Sequence, residues 1–256
     1  MSSIKDHLFD IQQEQADKWI RERLSDADAG EESEEYQSLA QDYSNYQEYL
    51  AEQAEFEAEL EWLKNAGSSF QHQSFLKQLE QLDQFVRSAN SDHEDMHAKM
   101  SFAYAVTLLE TYLADAAKTL VSSSEYFFRN AIKNIDELKK AKYSLSSLAS
   151  EPITPRGLAV KELAKVLYHN LSKVKRIIEG ILDNAIDVEL ENLIKAVDKR
   201  HDIVHRNGQT KEGKHVLVTV EDCVDLTEEM RKFANSLQKQ INTAEQGGAH
   251  QSTTAP

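Results

Sequence analysis

The chain is short of the residues that staple, bend and break a fold: its 256 residues hold one Cys, three Pro and eight Gly. A single cysteine, Cys223, can form no internal disulfide and no Cys-rich metal site. So little Gly and Pro, beside abundant Glu, Gln, Lys, Leu and Ala, argues against the many tight turns of a multi-stranded sheet and predicts long helices. No apolar run approaches the ~18 residues that span a bilayer. The start, Met1-Ser2-Ser3-Ile4-Lys5-Asp6, has no signal-peptide pattern. These absences predict an all-α, cytoplasmic protein with no membrane partner, and 40% hydrophobic residues suffice for a core.

Positive charge is the other scarcity, with a net charge of −15. Spread evenly, that excess would argue against a nucleic-acid partner. It is not even: residues 1–98 hold 7 Lys+Arg against 23 Asp+Glu, and the remainder holds 22 against 21. Between Lys195 and Lys214 the balance turns positive, with Lys195, Lys199, Arg200, Arg206, Lys211 and Lys214 against Asp198, Asp202 and Glu212. That local field suits a phosphate-bearing ligand, although a solvated charged face would look the same.

Periodicity divides the chain into an acidic helical arm (1–94), a helical domain (95–242) and a disordered tail (243–256). In the arm, Ile4, Leu8, Ile11, Trp19 and Ile20 mark a first helix that Ser25–Gly30 ends. Tyr36, Leu39, Tyr43, Tyr46 and Leu50 begin a second that Asn65–Ser69 ends, and Phe75, Leu79, Leu82 and Val86 mark a third. The arm reads as a docking or oligomerisation element, as an acidic mimic of nucleic acid over the basic site, or as a solvated amphipathic stalk. In the second part, Met100, Ala103, Tyr104, Thr107, Leu108, Tyr112, Leu113 and Leu120 outline a broad apolar stripe. Ser122-Ser123-Ser124 offers an N-cap, and Ser150–Pro155 forces an extended connection. One helix is expected from Pro155 to Gly180 and another from Val188 to His205. A short extended segment at His215–Val220 and a last helix over Asp222–Ile241 follow.

The chemistry concentrates in Lys199-Arg200-His201-Asp202-Ile203-Val204-His205-Arg206-Asn207-Gly208. Asn-Gly is a natural helix stop. Arg200 and His205 lie five residues apart on a helix, about 7.5 Å along its axis. A guanidinium is a fixed fork for phosphate oxygens, and an imidazole exchanges protons near neutral pH. Together they suit cleavage of RNA by its own 2′-hydroxyl, with His205 as acid or base and Arg200 neutralising the scissile phosphate. Lys199, Arg206, Lys211 and Lys214 are further candidates for phosphate contacts. His201 and His205 share the four-residue spacing of two-histidine metal sites, but no third ligand is apparent and no metal or other cofactor is expected. A purely structural alternative is a basic helix end in which His205 and Arg206 satisfy the last carbonyls and the macrodipole.

Arg200-His201-Asp202-Ile203-Val204-His205 resembles the signature of the HEPN (higher eukaryote and prokaryote nucleotide-binding) superfamily, an Arg and a His with a polar residue directly after the Arg. The Arg206-Asn207-Gly208 and Thr210-Lys211-Glu212-Gly213 that follow, with the Ser101–Leu113 helix and its Glu110, are similar to the RiboL-PSP-HEPN branch. The resemblance covers about residues 95–242. It implies a bundle of four to five helices that forms a homodimer with two motifs facing one cleft. It also implies a metal-independent endoribonuclease, hence a hydrolase and nuclease, of toxin–antitoxin or antiviral defence. The alternative it leaves open is a catalytically silent module that binds nucleotide or RNA, or scaffolds a defence complex. Arg200 and His205 match the catalytic pair, His201 or Asp202 would orient them, and Asn207 would contact a phosphate or the nucleotide. RNA is the implied partner, with an antitoxin or defence-complex protein at the acidic arm. Toxins silenced by nucleotidylation often carry Tyr where this chain has Asn207, so that control is closed to it.

Overall fold

The computed structural model describes residues 4–26, 29–88, 93–150 and 153–252, and it is all-α. In chain order the helices are α1 (Ile4–Arg21), α2 (Glu34–Arg87), α3 (Glu94–Ser123), α4 (Glu125–Asn134) and α5 (Asp136–Lys140). Then come α6 (Leu145–Ser150), α7 (Pro155–Ala164), α8 (Leu171–Leu182), α9 (Glu191–His205) and α10 (Val220–Ser252). Among the described residues, β pairing is limited to one isolated antiparallel bridge, Gln209 with His215. No helix there is long and apolar enough to cross a membrane.

The chain forms two compact units, Met1–Glu61 and Trp62–Pro256. In the first, Trp19 of α1 packs on Tyr43 and Tyr46 of α2, with ring centroids 5.4 and 6.4 Å apart, and Ile20 is buried. Tyr36 donates to Asp17 at 2.9 Å, and Ser25 donates to Glu35 through both its N–H and its hydroxyl. Residues 1–61 hold 4 Lys+Arg against 18 Asp+Glu, so the second unit, with 25 against 26, is close to neutral.

The unit boundary therefore lies some thirty residues before the expected end of the acidic arm near 94. The helix around Phe75–Val86 belongs with the second unit because its apolar stripe finds partners there. Phe75, Leu79, Leu82 and Val86 are buried, and the Phe75 ring stacks on Tyr112 of α3 at 4.5 Å. Asp83 pairs with Arg231 and accepts a hydrogen bond from Thr227, both on α10. The break expected at Asn65–Ser69 is confined to Gly67, whose φ of 75° is open to glycine at little cost.

Helix α3 is the spine of the second unit, packing against α4, α7, α8, α9 and α10. Its buried face carries Ala98, Phe102, Ala105, Leu109, Leu113 and Ala116. Leu108, Tyr112 and Leu120 of the expected stripe are buried too, but Met100 and Tyr104 are 63% and 52% exposed because the helix is turned toward its small residues. Ser124 caps α4 by accepting from the Phe127 N–H. Phe127 is 1% exposed, so Phe127→Ala should lower the unfolding free energy by ~3–5 kcal/mol. Denaturant titration of the two chains measures this.

The single helix expected from Pro155 to Gly180 is two helices. Asn170 caps α8 by accepting from the Lys173 N–H, and the Tyr168 hydroxyl donates to the Leu163 carbonyl across the gap. Asparagine is among the best N-caps, so a new helix starts where the apolar period alone runs on. The Ser150–Pro155 connection falls partly on residues 151–152, outside the described ones, but Thr154 caps α7 and Pro155 takes its first turn. His215–Val220 forms no strand, only the bridge at His215: Val216 and Val218 are buried with Leu217 75% exposed between them, and α10 starts at Val220. At the other end α10 continues to Ser252, past Thr243, where order was expected to end. Thr243 donates to the Lys239 carbonyl, and Ser68 donates to Glu245 at 3.1 Å. Residues 253–256 of the expected tail lie outside the described ones.

Cys223 is buried on α10 and donates to the Ala98 carbonyl at 3.3 Å. Burial pushes its thiol up to about 11. The thiolate is the reactive form, so a maleimide at pH 8 should label the native chain slowly and the denatured chain at once. Mass spectrometry of the two samples reads the difference.

Candidate functional site

The site is built on the last turns of α9 and the loop beyond it. Leu193 and Val197 seat the helix in the core, while residues one position later in each turn face outward. Two stripes follow from the 3.6-residue repeat. Leu193, Val197, Arg200 and Val204 form one, and Ile194, Asp198, His201 and His205 form the other. Arg200 and His205 therefore stand roughly 140° apart about the axis.

Arg200 is half-buried, and its Nε is cut off from solvent without a hydrogen-bond partner. Among the described residues its guanidinium meets no carboxylate within salt-bridge distance. His205 is exposed, its ring 4.9 Å from that of His201, also exposed. The structure brings these two imidazoles together.

The other cations separate into engaged and free. Lys199 reaches Asp222 at 3.2 Å and lies over the Phe102 ring at 5.1 Å from its centroid. Burial opposes ionisation of Asp222, but the Thr219 N–H and the Lys199 ammonium outweigh it and hold that carboxyl below its usual range. Arg206 pairs with Asp202 one turn back. Lys199, Arg206 and Asp202 are thus tied into the fold. Lys211 and Lys214 are exposed and, among the described residues, hold no carboxylate.

The helix ends as expected. Arg206 is the C-cap, and Asn207 and Gly208 follow with φ of 54° and 73°. The Gly208 N–H returns to the Asp202 and Ile203 carbonyls, so these two are met by the backbone rather than by His205 or Arg206. Of the basic-end alternative, the side-chain capping of these carbonyls is not seen among the described residues, while His205 does stand in the last turn, where the macrodipole favours a cation. The Gly208 carbonyl accepts from Val216 N–H, and Thr210 N–H donates to the Lys214 carbonyl, which fixes the loop carrying the free lysines.

Tertiary packing adds residues that the linear motif does not reveal. Lys99 of α3, paired to Asp95 at 2.8 Å, sits beside Gly208, 3.7 Å from where a Cβ would stand. A cavity of about 300 Å3 opens beside the outward stripe, between the start of α8 and α9, and takes in His169, Asp198 and His201. Asp198 was legible in principle, being seven residues before His205 on one face; His169 comes from another helix end, and no sequence spacing points to it. Among the described residues no group of three or more His, Cys, Asp or Glu is placed to hold a metal ion.

No family model, curated protein or solved structure matches the chain.

Proposed function

We propose that this chain is a metal-independent endoribonuclease of the HEPN type, acting as a homodimer in toxin–antitoxin or antiviral defence. The reading is carried by Arg200. Its neighbours Lys199 and Arg206 are both neutralised by carboxylates, yet among the described residues the guanidinium between them has no protein partner, and it keeps one donor away from water. A buried donor without an acceptor costs ~1–3 kcal/mol, an outlay that an incoming anion would offset. An RNA phosphate supplies that anion, and two anionic oxygens fit the guanidinium fork.

In the proposed reaction His205 takes the proton of a 2′-hydroxyl, whose oxygen attacks the adjacent phosphorus. The bond to the 5′-oxygen breaks, and that oxygen gains a proton from solvent water. The products are a 2′,3′-cyclic phosphate and a 5′-hydroxyl. Arg200 stabilises the charge that grows on the phosphoryl oxygens. His201 braces the His205 ring, Asn207 holds the turn after it, and Lys211 and Lys214 attract the flanking backbone. Asp202 acts only by anchoring Arg206.

The test is cleavage of single-stranded RNA by purified chain in excess EDTA. Fragments ending in a cyclic phosphate are expected. Intact RNA at high protein concentration would overturn catalysis.

The engaged state of Lys199 and Arg206 favours a second reading, a silent HEPN module that binds RNA or nucleotide weakly or scaffolds a defence complex through its acidic first unit. It predicts salt-sensitive RNA binding that survives His205→Ala and falls with Arg200→Ala.

A further inference from the structure

The cavity beside α9 differs in chemistry from the phosphate-binding residues next to it. Its floor is apolar and buried, Leu171 and Val197, at 3% and 9% exposure. Its rim is mainly polar: His169 just before α8, Ser172 in its first turn, and Asp198 and His201 from α9, beside the exposed Ile194. All four rim residues are exposed. Among the described residues none of the four makes a side-chain hydrogen bond to protein, while the other polar lining residue, Asn170, accepts from the Lys173 N–H. Its volume, about 300 Å3, lies at the small end for ligand sites, enough for one flat heterocycle rather than a run of nucleotides.

The Asp198 carboxylate decides what can enter. It offers acceptors only, so it repels a phosphate and welcomes a group with donors. Its two oxygens ask for two donors side by side. Among the RNA bases, guanine alone presents that pattern, through N1–H and the N2 amine. Adenine and cytosine set an acceptor next to their amine, and uracil flanks its one N–H with carbonyls. The His169 and His201 rings at the rim give the heterocycle aromatic faces, and stacking of this kind holds single-stranded bases. Asp198, His201 and His205 share one face of α9 at spacings of three and four. A base in the cavity would therefore hang its sugar toward His205.

We propose that this cavity is the base-reading subsite of the chain, taking a guanine next to the scissile linkage with Asp198 on its Watson–Crick edge. The inference rests on the ribonuclease reading for its substrate, but its test does not require cleavage. Full-length chain is titrated by calorimetry with the 5′-monophosphates of guanosine, inosine, adenosine, cytidine and uridine. The guanosine nucleotide should bind at least ten-fold tighter than the last three. Inosine monophosphate, which lacks the N2 amine, should fall between. Asp198→Asn, at an exposed position with no side-chain partner among the described residues, should keep its thermal unfolding and lose the guanine preference. Equal binding of all the nucleotides, binding of none, or a preference that survives Asp198→Asn overturns the subsite. A chain that cuts RNA without regard to guanine removes the subsite and leaves the nuclease. Guanine-selective binding lost in Asp198→Asn, by a chain that cuts nothing, keeps the subsite and removes the nuclease.

Discussion

His205→Ala is expected to lower metal-free RNA cleavage by ~10²–10⁴-fold, the range in which a positioned acid or base contributes. The structure makes this substitution a clean one. His205 is exposed at the end of α9, contacts the His201 ring, and plays no part in closing the helix, which the Gly208 N–H does instead. Thermal unfolding should therefore be unchanged, since exposed substitutions away from caps and core cost little. RNA affinity should hardly change either, because phosphate attraction comes from Arg200, Lys211 and Lys214. A loss of turnover at constant stability and affinity is the signature of a group used in the transition state. If His205→Ala cuts as fast as the parent chain, the imidazole has no chemical role, and any nuclease activity in the preparation comes from elsewhere.

The sequence is informative about this molecule where the signal is local. The helix stop at Asn207-Gly208 is written in two residues that tolerate positive φ, and the cap at Ser124 in a single hydroxyl. Helical class follows from composition. Wherever two distant segments must meet, the linear pattern runs short. The stripe from Phe75 to Val86 looks like more of the acidic arm until Tyr112 and Arg231 are seen beside it. Met100 and Tyr104 fit a helical apolar face as well as Leu108 does, yet small residues such as Ala98 and Ala105 decide which side of α3 its neighbours approach. The same division holds at the site. Arg200 and His205 are legible as a pair, but which cations remain free depends on Asp222 and Asp202. Asp222 lies on another helix, and its hold on Lys199 has no echo in spacing.

The angle between Arg200 and His205 leads to the second large effect. Roughly 140° of helix separates them, one on the stripe that seats α9 and the other on the stripe that faces out. One scissile phosphate would be met more readily by His205 of one copy and Arg200 of another. Each variant alone should then be inactive, since each dimer has lost either both imidazoles or both guanidiniums. Mixing Arg200→Ala with His205→Ala chains under conditions that exchange subunits should restore cleavage to about a quarter of the parent rate. Half the dimers are mixed, and each mixed dimer keeps one of two cross-copy pairs. Recovery should rise with exchange time and vanish if the dimers are crosslinked before mixing. If Arg200 and His205 instead act within one copy, no mixed dimer holds an intact pair, and the mixture stays as inactive as its components.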